Sequence, residues 1–348
     1  MSTLVATMAD VAREAGVSIV TVDRVLNQRA VVRPATEQKV LAAAKRLHFA
    51  LGKVHAIAGE QQPVASVQVP RKLAFFLLRR ETVFYQALGQ ALAAACQADG
   101  ANHVCDIHFL DGLNPQQCAA LFLDKSRGCD AIAMVSVDHP AINQAVDQLS
   151  EQGIRTYALV TDITATQRAG YVGLDNRKVG RTAAWAISRL SRGQGSVGLL
   201  VGDHRFLCQE LSEMSFRSYL REHRPDLRLL DTCLTHESPE EAREVTLRML
   251  DEQPDLLGLY VNGGGIEGVM DALRHSGRHQ DVVLIGHEVM DSTRTGLVDG
   301  VLDLVISLRR EESAKALIDL MIQQPGATAG SASVAVMVPF DLVTAENI

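Results

Sequence analysis

The sequence predicts a small all-α head at the amino terminus, followed by a larger α/β body with two lobes. Apolar residues recur at helical spacing through residues 1–58, whereas from Leu73 onward apolar runs typical of strands alternate with helical patterns. The 348-residue length exceeds one ordinary core. A content of 47% hydrophobic and 22% charged residues is typical of a folded protein.

Charge is unevenly distributed along the chain. Residues 1–58 contain eight Lys or Arg against four Asp or Glu, a formal net charge of +4. Because the whole chain carries −7, the remainder carries −11. A basic head on an acidic body is expected when only the head meets a polyanion.

Several other classes of protein are disfavoured by the sequence. No apolar run reaches the roughly 20 residues of a membrane-spanning helix, and the first residues lack the pattern of a secretory signal. We therefore expect a cytoplasmic protein. Six cysteines without a C-x-x-C pair indicate free thiols, and no cluster has the spacing of a metal site. We expect neither a metal nor a cofactor.

The head begins with a compact pair of helices. In "ADVAREAG" apolar residues recur at helical spacing, Gly16 can end the first helix, and Ser18 can cap the second. The second helix, residues 18–26, turns Val22 inward, and a third follows from about Pro34. Two short helices around a glycine-containing turn form a helix-turn-helix, whose second helix can enter the major groove of DNA.

The segment "MADVAREAGVSIVTVDRVLNQRAVVRPATEQKVLAAAKRLHF" closely resembles the DNA-binding head of the lactose-repressor/galactose-repressor (LacI/GalR) family of bacterial transcription regulators. The resemblance implies base contacts by Ser18, Ile19, Val20 and Arg24, and DNA-backbone contacts by Thr21, Asn27 and Arg33. Arg24 can donate two hydrogen bonds to guanine, while Ile19 and Val20 can cover thymine methyl groups. The alternative is that Ile19 and Val20 are edges of the core of the head.

Two features depart from the pattern of that family. Asp23 stands where a Ser is common, and beside DNA its carboxylate can accept a hydrogen bond from cytosine N4 or from Asn27. After the head, "ALGKVHAIAG" lacks the leucine of the expected hinge helix, which leaves Ile57 as the candidate for insertion into the minor groove. A flexible linker is the alternative. We therefore divide the chain into a DNA-binding head (1–58), a linker or degenerate hinge (59–70) and a body (71–348).

Eight apolar runs predict the strands of the body: "LAFFLL", "HVCDIHFL", "DAIAMVSV", "IRTYALV", "SVGLLVG", "LGLYV", "VVLIGHE" and "VLDLVIS". They exceed one usual sheet, so we expect two lobes with a cleft at the carboxyl ends of the strands. The body resembles the periplasmic-binding-protein-like (type I) domain that follows such heads. That resemblance implies a homodimer and a small effector: a sugar, sugar acid, polyol or sugar phosphate.

The same resemblance implies effector contacts by side chains at strand ends: Phe84, Tyr85, Asp138, Asp162, Arg205, Asn262 and Glu288. The two aromatic residues can stack on a sugar, and carboxylates and amides can bind its hydroxyl groups. Ser212 stands where the family has a sugar-binding Arg, and Arg205 lies close enough in sequence to replace it.

A glycine-rich segment, "GGGIEG" at residues 263–268, fits the pattern G-x-G-x-x-G between a strand and a helix. It falls late in the chain and lacks the acidic residue expected downstream, which argues against a dinucleotide site. Its backbone N–H groups could instead hold a carboxylate or phosphate of the effector.

Three classes of function can use an α/β body of this kind: a solute-binding receptor, an enzyme and a DNA-binding regulator. A solute-binding receptor would need a secretory signal and would have no use for the head. An α/β enzyme would need a nucleophile elbow, a metal set or an acid paired with a His. The sequence therefore predicts a sequence-specific transcriptional regulator, a repressor without enzymatic activity, whose sugar-like effector binds between the lobes. Release from DNA and promotion of DNA binding by the effector both stay open.

Overall fold

A computed structural model describes residues 8–26, 36, 39–40, 42–44, 69–323 and 333–348. The chain forms two compact units, residues 1–68 and 69–348. The first unit contains the predicted head and most of the predicted linker, and the second contains the predicted body.

The head contains the predicted helix-turn-helix. Helix α1 (Met8–Ala15) and helix α2 (Ile19–Leu26) are separated by Gly16, whose φ of +66° is the left-handed conformation that glycine adopts without strain. The Ser18 hydroxyl accepts a hydrogen bond from the Thr21 backbone N–H at 3.1 Å, as a helix cap does. The core of the head includes Val11, Ala12, Val22, Val25, Val40, Ala43 and Ala44.

The first lobe of the body is built on a parallel sheet. Its strands are β1 (Lys72–Leu78), β2 (Val104–Leu110), β3 (Ala131–Met134), β4 (Arg155–Val160), β5 (Gly170–Gly173) and β12 (Val334–Met337), in the spatial order β12-β5-β4-β3-β1-β2. Strand β1 is buried from Leu73 onward, which explains its uninterrupted apolar sequence.

The second lobe repeats this arrangement. Its strands are β6 (Ser196–Val201), β7 (Arg228–Leu229), β8 (Cys233–Leu234), β9 (Leu256–Asn262), β10 (Val283–His287), β11 (Leu304–Leu308) and β13 (Phe340–Val343). The spatial order is β13-β11-β10-β9-β6-β7, with β8 also beside β6. Only the β11–β13 pair is antiparallel among the described strands.

Helices connect the strands of both sheets. They are α3 (Val83–Ala98), α4 (Pro115–Lys125), α5 (Pro140–Glu151), α6 (Asn176–Leu190), α7 (Leu207–His223), α8 (Pro239–Glu252), α9 (Ile266–Ser276), α10 (Asp291–Val298) and α11 (Arg310–Ile322). Among these and the other described helices, none is long and apolar enough to cross a bilayer. The chain crosses between the lobes after β5, β11 and β12.

All eight predicted strands are confirmed. Strands β5, β7, β8, β12 and β13 were not predicted, and β7 and β8 have only two residues each, too few to show a period. The prediction that every cysteine is a free thiol is wrong for two of them. Cys96, in the last turn of α3, forms a disulfide with Cys105 on β2. The turn between the helix and the strand brings these residues together, although their spacing in the sequence matches no disulfide motif.

Helices α6 and α7 cross closely at Gly180. A Cβ atom there would collide with the Ser212 carbonyl oxygen and the Ser215 hydroxyl. We therefore expect Gly180→Ala to lower the free energy of unfolding in urea by about 1–3 kcal/mol, because overpacking outweighs the better helix propensity. Gly112→Ala is the matched control, since its Cβ would meet no atom within 4 Å. Equal stabilities of the two variants would contradict the close crossing.

Candidate functional site

A cavity of about 660 Å³ lies between the two lobes of the body. Its walls come from the carboxyl ends of strands in both sheets, including Leu78 at the end of β1, Thr161 after β4, Asn262 at the end of β9 and Leu308 at the end of β11. In each sheet the strand order reverses beside β1 or β6, and open α/β sheets bind ligands at such points. The cavity is therefore the candidate ligand site of the body.

Unusual backbone conformations concentrate at this cavity. Among the described residues, six that are not glycine have positive φ, and four of those line the cavity: Arg79 (+31°), Val160 (+66°), Glu237 (+60°) and Glu288 (+63°). Such conformations cost about 1–3 kcal/mol each and persist where the surrounding structure enforces them. They direct side chains at strand ends into a limited volume.

Glu237 has the most elaborate surroundings of these four residues. One carboxylate oxygen accepts a hydrogen bond from Gln209 Nε2 at 2.7 Å, and the other accepts one from the Gly264 backbone N–H at 2.7 Å. A Cβ atom at Gly202, Gly263 or Gly264 would collide with this carboxylate or press against it. Three glycines thus make room for one acidic group.

Glu288 is the second acidic group recessed in the wall. Its carboxylate accepts hydrogen bonds from the Leu308 backbone N–H at 3.1 Å and from the Ser307 hydroxyl at 3.4 Å. Burial nevertheless raises the pKa of Glu288 to about 7, and burial also raises the pKa of Glu237 above its ordinary value. Next to Glu288, burial lowers the pKa of His287 to about 4, so this imidazole is neutral near pH 7.

Hydrogen bonds join the two lobes around the cavity. The Arg79 guanidinium donates to the carbonyl oxygens of Glu237 (3.3 Å) and His236 (3.4 Å) in the second lobe. The Cys208 backbone N–H donates to the Thr161 hydroxyl at 3.2 Å. Because Arg79 and Glu237 both line the cavity, a ligand there would contact groups that also hold the lobes together.

Four of the predicted effector residues lie in the cavity wall: Phe84, Tyr85, Asn262 and Glu288. The Phe84 and Tyr85 rings contact each other edge to face, with centroids 5.0 Å apart. Asn262 is only 3% exposed, and its amide donates to the Gln209 carbonyl oxygen at 2.7 Å. Asn262 therefore supports the wall more than it offers a free amide to a ligand.

The other three predicted effector residues do not line the cavity. Asp162 is paired with Arg168 by two hydrogen bonds of 2.6 and 2.7 Å. Asp138 accepts hydrogen bonds from Thr164, and Arg205 pairs with Asp203 at 2.6 Å. All three charged groups thus make hydrogen bonds within the protein, outside the cavity lining.

Sequence reasoning missed Arg79 and Glu237. Arg79 directly follows "LAFFLL", and the strand-end rule could have found it. Glu237 follows the two-residue strand β8, which leaves no recognisable pattern. In the glycine-rich segment, which was predicted to hold an effector anion, the Gly264 N–H donates to the Glu237 carboxylate.

In the head, the predicted DNA-contacting face lies along α2. Ile19 is 52% exposed, which a core residue would not be, and the Ser18 and Thr21 hydroxyl groups are hydrogen-bonded to each other at 2.9 Å. Val20, Asp23 and Arg24 belong to the same helix. Asn27, Arg33 and Ile57 lie outside the described residues.

Comparison with known families assigns both parts of the chain. Residues 73–327 match the family described as a periplasmic binding protein domain. Residues 7–50 match the family described as bacterial regulatory proteins, lacI family. The first match covers more than half of the chain.

Similar proteins agree with this division. The HTH-type transcriptional regulator MalR of Streptomyces coelicolor is 29% identical over 205 residues, which are 58% of this chain and 55% of MalR. The chain thus spans about half the length of the curated relatives it matches.

The glucose-galactose binding protein GanP of Geobacillus stearothermophilus has a TM-score of 0.71 at 17% identity, covering 80% of this chain and 99% of GanP. A solute-binding protein of Burkholderia graminis, solved in complex with D-arabinose, also has a TM-score of 0.71 at 17% identity, covering 80% and 97%. These two structures share the fold.

The raised pKa of Glu288 predicts how stability depends on pH. The folded protein favours the neutral form of Glu288. The contribution of this group to the free energy of unfolding is therefore fully present below its ordinary pKa of 4.5 and is lost as the pH rises through about 7. Glu288→Gln keeps an acceptor for the Leu308 N–H and cannot ionise. Relative to this variant, the natural protein should lose roughly 1–3 kcal/mol between pH 5 and pH 8.

Thermal unfolding at fixed ionic strength, without ligand, measures this difference. Glu244→Gln, at an exposed position of α8, is the control and should follow the natural protein at every pH. Parallel stability profiles of the natural protein and Glu288→Gln would show that Glu288 ionises in the folded protein as it does in water.

Proposed function

Because the chain belongs to the periplasmic binding protein domain family and begins with a lacI-family regulatory head, we propose that it is a ligand-controlled DNA-binding transcriptional regulator. The head binds duplex DNA, and the body binds a small effector between its lobes. The observation that carries this proposal is the cavity itself, since its wall includes the Arg79 and Glu237 groups that link the two lobes.

The DNA-binding surface in this proposal is the outward side of α2. Ile19 and Val20 cover thymine methyl groups, Arg24 binds guanine, and Asp23 accepts a donor on cytosine or a neighbouring side chain. Ser18, Thr21, Asn27 and Arg33 add further contacts, and Ile57 is the candidate for the minor groove. The exposure of Ile19 supports this assignment, because it leaves the side chain available for contact with a thymine methyl group.

The effector in this proposal is a small sugar-like or polyol molecule. Two solved proteins of the same fold are described as binding glucose and galactose, or contain D-arabinose. In this chain Phe84 and Tyr85 provide a ring surface, and Glu237 and Glu288 provide hydrogen-bond acceptors. Hydrogen bonds to ionised carboxylates are the stronger kind, and they suit hydroxyl groups.

The mechanism is a shift between two arrangements of the lobes. A ligand that contacts both lobes binds one lobe arrangement more tightly than the other. The difference between these two binding free energies shifts the equilibrium toward the arrangement that it prefers. A tenfold change in DNA affinity requires only about 1.4 kcal/mol of such a difference. We further propose a cytoplasmic homodimer whose two heads bind half-sites about one DNA turn apart.

Binding of a small effector is sufficient to explain the residues that line the cavity, and no catalysed reaction is needed. The MalR relative is described as a transcriptional regulator. An enzyme or an exported receptor would leave the helix-turn-helix without a role. The regulator proposal gives a function to both units of the chain.

Selection of duplexes from a random pool tests DNA binding by the full chain. We expect one family of sequences to be enriched and bound with an affinity that falls steeply with salt. Arg24→Ala should lose about 1–3 kcal/mol on the selected sequence and relax the choice of bases, whereas Lys45→Ala should weaken binding to all sequences alike. Fluorescence anisotropy measures both effects. Equal affinity for every duplex would contradict the proposal.

The link between the lobes gives a second prediction. Arg79→Ala removes both hydrogen bonds to the second lobe, so the lobe arrangement and hence the affinity for the selected duplex should change several-fold without ligand. Arg80→Ala is the matched control, because that guanidinium lies 4.6 Å from the Phe109 ring centroid within the first lobe. Identical DNA affinities of the two variants and the natural protein would mean that this contact does not affect the head.

A further inference from the structure

The charged groups that line the cavity are unequal in number. Among the described lining residues, five are acidic and one is a permanent cation: Glu81, Glu237, Glu267, Glu288 and Asp291 against Arg79. His287 adds no charge near pH 7, because burial lowers its pKa to about 4. Carboxyl groups therefore outnumber cationic groups in the cavity wall.

The single cation does not offset them for a ligand. Both terminal nitrogens of Arg79 donate to backbone carbonyl oxygens of the second lobe, at 3.3 and 3.4 Å. Its guanidinium is thus committed to holding the lobes together. An anionic ligand would find no free cationic partner among the described lining residues.

One backbone donor of the glycine-rich loop is already taken by an acidic side chain. The loop before α9 would suit an anion, yet Glu237 accepts the Gly264 N–H at 2.7 Å. Gly202, Gly263 and Gly264 leave the space that this carboxylate fills. A phosphate or carboxylate of a ligand could bind the Gly264 N–H only by displacing the Glu237 carboxylate.

Two aromatic rings line the same cavity as the carboxylates. The phenol of Tyr85 has its pKa raised by burial and by the charges of both Glu237 and Glu288, so the ring lies within electrostatic range of both. Phe84 contacts Tyr85 edge to face, with centroids 5.0 Å apart. Carboxylates beside aromatic rings are the groups that hold an ammonium ion, through charge-assisted hydrogen bonds and cation–π attraction.

We infer that the effector carries a protonated amine on a sugar-sized polyhydroxyl frame, and that its ammonium group is held by the Glu237 and Glu288 carboxylates of the cavity wall. The inference rests on the proposed function, because it specifies the ligand of the same cavity. The hydroxyl groups of the frame use the remaining polar groups of the wall. Neutral polyols bind more weakly, and sugar acids and sugar phosphates are rejected.

Matched ligands that differ only in charge test this inference on the full chain. One set is glucamine (1-amino-1-deoxy-D-sorbitol), D-sorbitol and D-gluconate, and a ring-shaped set is D-glucosamine, D-glucose and D-glucuronate. Isothermal titration at pH 7 should give the amine of at least one set a dissociation constant at least tenfold below that of its neutral analogue. The acid should show no binding. A neutral or acidic member that binds as tightly as the amine, or the absence of binding by both amines, would overturn the inference.

Variants connect the preference to the acidic groups. Glu288→Gln should weaken binding of the amine at least tenfold and leave the neutral analogue within about twofold. Glu237→Gln should have the same direction, and circular dichroism establishes that each variant is folded. Glu244→Gln removes the same charge from an exposed position of α8 and should bind like the natural protein. If both cavity variants lost affinity for the amine and for the neutral analogue equally, these acids would bind the hydroxyl groups of the ligand and not its ammonium group, and the inference would be wrong.

The pH dependence provides an independent measurement. Glu288, whose pKa is about 7, faces Arg310 of α11 and Tyr85 of α3, and neutral His287 precedes it. Affinity for glucamine should therefore rise at least threefold from pH 6 to pH 8, because Glu288 ionises in that range. An affinity that is flat or falls with pH would contradict the inference. The same preparations are assayed for binding to duplex DNA with and without ligand, and absence of DNA binding under both conditions would refute the proposed function whichever ligand binds.

Discussion

The hydrogen bonds that fix the Glu237 carboxylate in the wall are the interaction on which the rest of the cavity depends. Gln209 and the Gly264 N–H each donate to it at 2.7 Å, and three glycines leave space for it. Through the carbonyl oxygen of the same residue, the second lobe accepts a hydrogen bond from Arg79 of the first. One residue therefore helps to set the charge of the site and also joins the lobes.

This arrangement explains why strain collects at the strand ends. Arg79, Glu237 and Glu288 all adopt positive φ, which an open loop would not maintain. The parallel sheets beneath them are rigid and deeply buried, so they can hold these conformations. Because these groups are held in fixed conformations, a ligand that contacts them can favour one lobe arrangement over the other with a small difference in binding free energy.

The sequence predicts the architecture better than the site. Long buried strands such as β1 have enough apolar residues to be recognised, and Gly16 with Ser18 is sufficient to place the turn of the head. Strand β8 has two residues, and so the position of Glu237 has no visible cause in the sequence. Asp162 follows a predicted strand correctly, yet Arg168 neutralises it from a loop whose course depends on the tertiary fold. Strand ends identify which residues can face a ligand, and only the folded structure shows which of them are already paired.

The central claim is that the cavity of the body and the DNA-binding head are energetically coupled. Such coupling is reciprocal, so binding of DNA must be felt at the cavity even when the effector is unknown. Hydrogen–deuterium exchange of the full chain, with and without the selected duplex, measures this directly. The account predicts altered exchange in the cavity segments around residues 79–85, 236–238 and 262–265 when DNA is bound. Changes confined to residues 1–68 would contradict it.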